Sequence, residues 1–319
     1  MHDLVDLYSA MSWIRKVEER IALEYGKQEM RCPVHLSIGQ EAVPAGISCL
    51  LAKEDHVVSA HRSHAHYLAK GGSLEKMLGE LFGKVTGCAR GKGGSMHLID
   101  LDVNVTAAVP IVGSSISIGT GIGFGIKQQK KDNKVAVYFG DGATEEGVFS
   151  ESLDFAALLN LPVLFVCENN FYSVYTPLNT RQSQSRDIQT ICKGHGVRSF
   201  FGDGNDVEEV VKITAEAIDY MDDEQKPALV EFETYRWLEH CGPNWDDHLG
   251  YREEGELSAW MARCPIQRLK PKLSSQNVPV TKLEKIDADH DKLIDSAFDF
   301  ARKSQFPSVD ELHLHVYAD

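Results

Sequence analysis

The sequence predicts an α/β fold built on parallel strands, and two observations carry that reading. Residues 134–172, KVAVYFGDGATEEGVFSESLDFAALLNLPVLFVCENNFY, read as strand, helix, strand. The chain is 319 residues long and 43% hydrophobic, enough for a sizeable core in one large α/β domain or two small ones. We expect a single unit over 1–319, with an N-terminal helix over 3–28 and a helical and strand extension over about 253–319.

In the central stretch, Val135 to Phe139 is a β-branched and aromatic run that stops at Gly140-Asp141-Gly142. Phe149, Leu153, Phe155, Ala156, Leu158 and Leu159 then recur at helical spacing. Pro162 closes that helix, and the run from Val163 ends at Glu168-Asn169-Asn170. A βαβ unit of this length has parallel, buried strands. Such strands end on one edge of the sheet, about 4.8 Å apart. Asp141 and Asn170 therefore leave neighbouring strand tips at the carboxyl edge, where open α/β sheets bind ligands. A carboxylate and an amide oxygen suit Mg²⁺ when phosphate oxygens complete its octahedron. Gly140 and Gly142 let the backbone approach an anion, and the helix N-terminus beyond adds donors.

The remaining elements follow in chain order. Leu4, Leu7, Met11, Ile14, Val17, Ile21 and Leu23 fall on roughly one face, so the stretch reads as an amphipathic helix rather than a signal peptide. His35-Leu-Ser-Ile-Gly-Gln-Glu-Ala42 follows, with a helix expected from Ser37 or Gly39 to Leu51. Residues 55–60 read as a strand that runs into His61-Arg62-Ser63-His64-Ala65-His66. The histidines at 61, 64 and 66 do not share one helix face and have no nearby Cys or Glu to complete a zinc tetrahedron. Phosphate recognition fits better, with Arg62 as a planar fork and the histidines as switchable donors.

A short helix is expected over 71–83. Arg90-Gly-Lys-Gly-Gly-Ser-Met-His97 is glycine-rich, but lacks the spacing of a nucleotide P-loop. His97 is a candidate active-site group. Residues 107–126 alternate small and branched side chains and suit a closely packed helix at a subunit interface or cofactor groove. Residues 176–190 read as a loop, 194–201 as a strand, 207–221 as an amphipathic helix and 228–235 as a strand. The loop that follows carries His240 and lies over the expected site. Helices are expected near 256–263 and 290–304, and a strand-like tail over 311–317.

Net charge is −14 with no long basic tract, which argues against nucleic acid or an anionic membrane as partner. No apolar run reaches the length of a transmembrane helix. Seven cysteines, an odd number with no Cys-x-x-Cys, read as reduced thiols of a cytoplasmic protein.

Several segments fall in one order: Gly-Gln-Glu-Ala (39–42), the strand leading to Arg62, the 90–97 loop, Ile-Val-Gly (111–113), Gly-Asp-Gly to Asn-Asn (140–170) and Thr-Tyr-Arg (234–236). Together they resemble the alpha subunit of the thiamine-diphosphate-dependent 2-oxo acid and acetoin dehydrogenases, over about residues 5–275. The resemblance implies a doubly wound α/β fold with helices on both faces. It implies Mg²⁺ on Asp141, Asn170 and the Tyr172 carbonyl. Gly140, Gly142 and Ala143 would lie along the diphosphate of thiamine diphosphate, Arg62 and His240 on its phosphate, and Ile111 and Val112 on its aminopyrimidine. His64, His97 and His240 would stabilise charge on the substrate adduct.

A beta subunit, in a heterotetramer of two alpha and two beta chains, would supply the proton relay. A lipoyl-bearing acyltransferase is a further expected partner. The implied reaction is decarboxylation of a 2-oxo acid with transfer of the acyl or aldehyde unit. Acetoin cleavage, two-carbon transfer, or a non-catalytic role anchoring the cofactor remain alternatives. His61 stands where the family usually has Tyr, and Cys241 where mitochondrial members carry a phosphorylated serine.

Overall fold

The protein is described by a computed structural model over residues 3–314. The chain opens with helix α1 (Leu4–Tyr25), capped by the Asp3 side chain, which accepts the Val5 N–H. Then come α2 (Ala42–Ser48), strand β1 (His56–Ser59), α3 (His64–Ala69), α4 (Leu74–Leu81), β2 (Val105–Ala108) and α5 (Ser114–Gln128). The central unit is β3 (Val135–Gly140), α6 (Gly147–Leu159) and β4 (Val163–Asn169). Two short strands, β5 (Tyr172–Ser173) and β6 (Thr176–Pro177), form a hairpin. They lead to α7 (Leu178–Arg181), α8 (Ile188–Gly194), β7 (Arg198–Asp203), α9 (Val207–Glu224) and β8 (Ala228–Glu233). Helices α10 (Glu256–Ala262), α11 (Pro265–Ser275) and α12 (Val280–Lys303) close the described chain, with a 3₁₀ turn at Val309–His313.

Six strands make one sheet in the order β2-β1-β3-β4-β8-β7, and every pairing in it is parallel. Alternation along β3 shows why both faces must be covered. Val135, Val137 and Phe139 enter one core with residues of α5, α6 and α8. Ala136 and Tyr138 enter the opposite core with residues of α2 and α9. Burial on both faces is what turns the strand sequence into a continuous apolar run. A third core joins α1, α4, α11 and α12. The chain leaves β1 towards β2 on one side and returns with β3 on the other. Such a reversal of strand order opens a crevice outside the carboxyl ends, here between β1 and β3.

Several expected boundaries are corrected. The 107–126 stretch is strand β2, a break at Pro110 to Gly113, and helix α5 from Ser114. The helix after His35 begins at Ala42, because Gly39 has φ +102° and a Cβ there would stand 2.4 Å from the Tyr235 carbonyl. Residues 176–190 are not all loop, since β6, α7 and the start of α8 fall within them. The strand expected at 194–201 runs Arg198–Asp203. The helix expected at 290–304 begins at Val280, and α11 precedes it. The strand-like tail is a 3₁₀ turn as far as His313, and its residues beyond 314 lie outside the described chain.

Candidate active site

The crevice holds a cavity of about 190 Å³, lined by residues from the ends of β1, β3 and β4 and from the loop after β8. Gly140 pairs with Glu168 across β3 and β4, so Asp141 and Asn170 leave adjacent strand ends into it. Asp141 is 1% exposed and opens the turn into α6, where the Thr144 hydroxyl donates to its carbonyl at 2.7 Å. Burial raises its carboxyl pKa above the usual range, opposed by the Arg181 guanidinium of α7, which pairs with it. Arg181 pairs with Glu145 as well. Asn170 is buried; its Oδ1 accepts the Tyr172 N–H at 3.3 Å and its Nδ2 donates to Gln40 Oε1 at 3.4 Å.

The hairpin beneath Asn170 is strained. Phe171 and the β-branched Val174 take φ of +68° and +55°. The Arg236 guanidinium holds that turn by donating to the Val174 carbonyl at 2.7 Å. Ser173 closes on the turn at Gly142, where a Cβ would stand 3.1 Å from its Oγ.

Arg62, just past β1, is buried. It donates to the Leu36 carbonyl at 2.6 Å and to the His240 carbonyl at 3.2 Å, and among the described residues it forms no ion pair with a carboxylate. Burial, then Arg236, lowers its pKa to about 10. A desolvated guanidinium facing a cavity without a counter-ion is a standing attraction for an anion.

Of the residues singled out from sequence, Arg62, Val112, Gly140, Asp141, Gly142, Ala143, Asn170, Tyr172 and His240 line this one cavity. His64 does not. It is fully buried, with Nε2 at 2.7 Å from Ser95 Oγ and Nδ1 at 3.4 Å from Glu18. His97 does not either; its Nδ1 sits 2.7 Å from the Gly93 carbonyl. Ile111 projects outwards, 72% exposed, beside the lining Val112.

His35, Gln40, Glu168 and Ser173, to which the sequence assigned no role, also line the cavity, as does His66 of the histidine cluster. His66 Nε2 lies 3.0 Å from Glu168 Oε2 and its Nδ1 2.7 Å from Ser59 Oγ, while the ring stacks on Tyr138 at 3.9 Å. The Glu168-Asn-Asn sequence at the end of β4 held the signal for Glu168; His66 sat in the histidine cluster but without an assigned partner.

The donors fit an Mg²⁺-bound diphosphate. A buried carboxylate that already draws a cation, an amide oxygen, close-approach glycines and an anion-seeking arginine converge on one cavity. The family model described as "Dehydrogenase E1 component" matches residues 9–310. The pyruvate dehydrogenase E1 component subunit alpha of Rickettsia bellii is 32% identical over 316 residues, covering 99% of this chain and 96% of that protein. The chloroplastic pyruvate dehydrogenase E1 component subunit alpha-3 of Arabidopsis thaliana is 36% identical over 322 residues, covering 99% of this chain and 74% of its own. The Zymomonas mobilis subunit alpha is 34% identical over 316 residues, covering 98% and 88%.

Proposed function

Since the chain belongs to the dehydrogenase E1 component family, we propose that it is the alpha subunit of a heteromeric, thiamine-diphosphate-dependent enzyme that decarboxylates a 2-oxo acid and passes on the acyl unit. Pyruvate is the first substrate to test, because the relatives are named for it. The observation that carries the reading is the meeting of Asp141, Asn170 and the Arg62 guanidinium, which pairs with no carboxylate among the described residues, at one switch-point cavity.

In this reading Asp141, Asn170 and the Tyr172 carbonyl would hold Mg²⁺, which would take the place of the Arg181 guanidinium as the cation on Asp141. Gly140, Gly142 and Ala143 flank the diphosphate, with Arg62 and His240 on its phosphate. Val112, with Ile111 beside it, meets the aminopyrimidine. When bound, thiamine diphosphate supplies the carbon that attacks the 2-oxo group and takes up the electrons left as CO₂ departs. His240 faces the cavity, where burial and Arg62 hold its pKa at about 3; the ring is a neutral hydrogen-bonding group there that can orient a donor. His64 and His97 do not line the cavity, and in this reading they hold the 93–97 segment, where His64 meets Ser95 and His97 the Gly93 carbonyl.

A cavity of about 190 Å³ is small for a complete ligand site, which usually measures about 300–1,000 Å³. A beta subunit would complete it. Ile118 and Phe124 of α5 and Phe155 and Leu158 of α6 are exposed, and they offer that subunit an apolar face. A heterotetramer, a lipoyl-bearing acyltransferase as acceptor, and a cytoplasmic location belong to the same proposal. No helix among the described residues is long and apolar enough to cross a membrane.

The experiment is to purify the chain alone and with a beta subunit, then measure Mg²⁺-dependent thiamine diphosphate binding and CO₂ release from pyruvate. Asp141→Asn should abolish both while the chain still melts cooperatively. Thiamine diphosphate binding that survives Asp141→Asn would overturn the site, and turnover by the chain alone would overturn the divided one.

A further inference from the structure

Three histidines from separate segments close on one point at the cavity wall: His35 ahead of α2, His61 after β1, and His240 from the loop after β8. The ring centroids are 4.9 Å apart for His35 and His61, 5.0 Å for His35 and His240, and 5.2 Å for His61 and His240. The planes cross at 68°, 83° and 56°, so no two rings stack. One ring nitrogen from each lies within 4.8 Å of the others. His35 is 6% exposed, and its Nδ1 is buried without a hydrogen-bond partner. A buried polar atom left unpaired costs free energy and calls for an explanation.

We propose that His35, His61 and His240 form a binding site for a zinc-class transition-metal ion, with a fourth coordination position open to the cavity. Three imidazoles and an open position are the donor set of reactive zinc sites. With no carboxylate among the three, the set selects borderline metals such as Zn²⁺, Co²⁺ or Ni²⁺ over Mg²⁺ or Ca²⁺. It uses none of the oxygen donors at Asp141 and Asn170. Tetrahedral bonds of about 2.0–2.1 Å bring ligand nitrogens to about 3.3 Å from one another, so each ring has only to swing inwards by about 1 Å.

The rings are neutral, as metal binding requires, though the burial that keeps them so also opposes a dication. Burial and then Arg62 hold His35 at about 2, and the same two causes hold His61 at about 4, so their lone pairs are free at neutral pH. Arg62 also opposes the site, since its Nη2 lies 3.5 Å from His240 Nδ1 and repels a dication. The affinity is therefore set below that of a structural zinc centre. The same crowding makes metal and phosphate competitors for this end of the cavity.

The test uses the full chain, stripped with chelator and free of thiamine diphosphate. It is titrated with Co²⁺, read by the visible absorption of tetrahedral cobalt, and with Zn²⁺ in a calorimeter. One equivalent should bind. His61→Phe and His240→Phe should each weaken binding more than about 100-fold, since even losing a group that only orients a ligand costs about 10–100-fold. His61→Asn, a polar replacement at a half-buried position, gives the same readout should the phenylalanine disturb folding. Asp141→Asn should leave the cobalt spectrum and affinity unchanged, which separates this site from the Mg²⁺ site. No binding up to millimolar Co²⁺, binding that survives both His61 variants, or loss of binding in Asp141→Asn would each overturn the proposal.

Discussion

Glu80→Gln should unfasten the glycine-rich loop. Glu80 lies near the end of α4 and is 1% exposed. Its Oε2 accepts the backbone N–H of Ala89 at 2.8 Å and of Gly91 at 2.9 Å, and its Oε1 those of Gly93 at 2.7 Å and Gly94 at 3.0 Å. One carboxylate thus satisfies four donors of a loop whose Gly91 and Gly94 take φ of +77° and +69°. The loop feeds directly into Ser95, which partners His64, and Met96, which lines the cavity. Glutamine has the same shape, but its amide nitrogen turns a donor towards two N–H groups. Each buried donor left without an acceptor costs about 1–3 kcal/mol, so the loss is about 4 kcal/mol in all. Urea denaturation reads the stability, and hydrogen exchange at Gly91, Gly93 and Gly94 reads the loop. A variant within about 1 kcal/mol of the native chain, with those amides equally protected, would refute the claim that this carboxylate holds the loop.

Three further outcomes are expected. In α5, a Cβ on Gly119 would stand 2.1 Å from Val137 Cγ2, whereas Gly121 has nothing within 4 Å. Gly119→Ala should therefore destabilise by about 1–3 kcal/mol through overpacking. Gly121→Ala should stabilise the isolated chain by about 0.5–1 kcal/mol yet weaken assembly with a beta subunit; melts and co-purification check both. Asp246, 1% exposed, pairs with Arg252 at 3.0 Å and Arg236 at 3.3 Å. Asp246→Ala strands two buried guanidinium groups beneath the loop carrying His240, and denaturation should register about 3–5 kcal/mol. Burial and then Arg62 lower the pKa of His61 to about 4, against an ordinary value of 6.5. Below pH 6.5 the unfolded chain takes a proton there that the folded chain refuses, so this contribution is present above pH 6.5 and drains away as pH falls towards 4. His35 and His240 act in the same direction, and His61→Asn should flatten part of the fall in melting temperature.

The β3-α6-β4 unit was legible because each part announces itself. The strands are unbroken β-branched runs, the helix repeats at the right period, and both strands end on small or polar residues. The helix bounds Gly147–Leu159 and the strand bounds Val135–Gly140 fall where the apolar pattern changes. Strand β2 was hidden for the opposite reason. Its four residues, Val105–Ala108, run into AAVPIVG without a polar break, so small residues of strand, turn and helix read as one segment. Helix α8 buries only Ile188 and Cys192, too few positions to show a period.

The site divides along the same line between local and returning chain. Asp141, Asn170 and Arg62 were legible because each sits at the end of a strand whose direction the sequence gives away. The histidines were not, because proximity in sequence suggested a group that the fold takes apart. Helix α3 begins at His64 and sends that ring to Ser95, His66 to Glu168, and leaves His61 against His35 and His240. Asp141 makes the point from the charge side. A carboxylate so deeply buried needs a cation, and that need could be read from the sequence. Its supplier here, Arg181, comes from a short helix in a segment that reads as loop. A strand end states what chemistry it requires, but which partner meets the requirement depends on where the chain comes back, and nothing in the local pattern of 176–190 encodes that return.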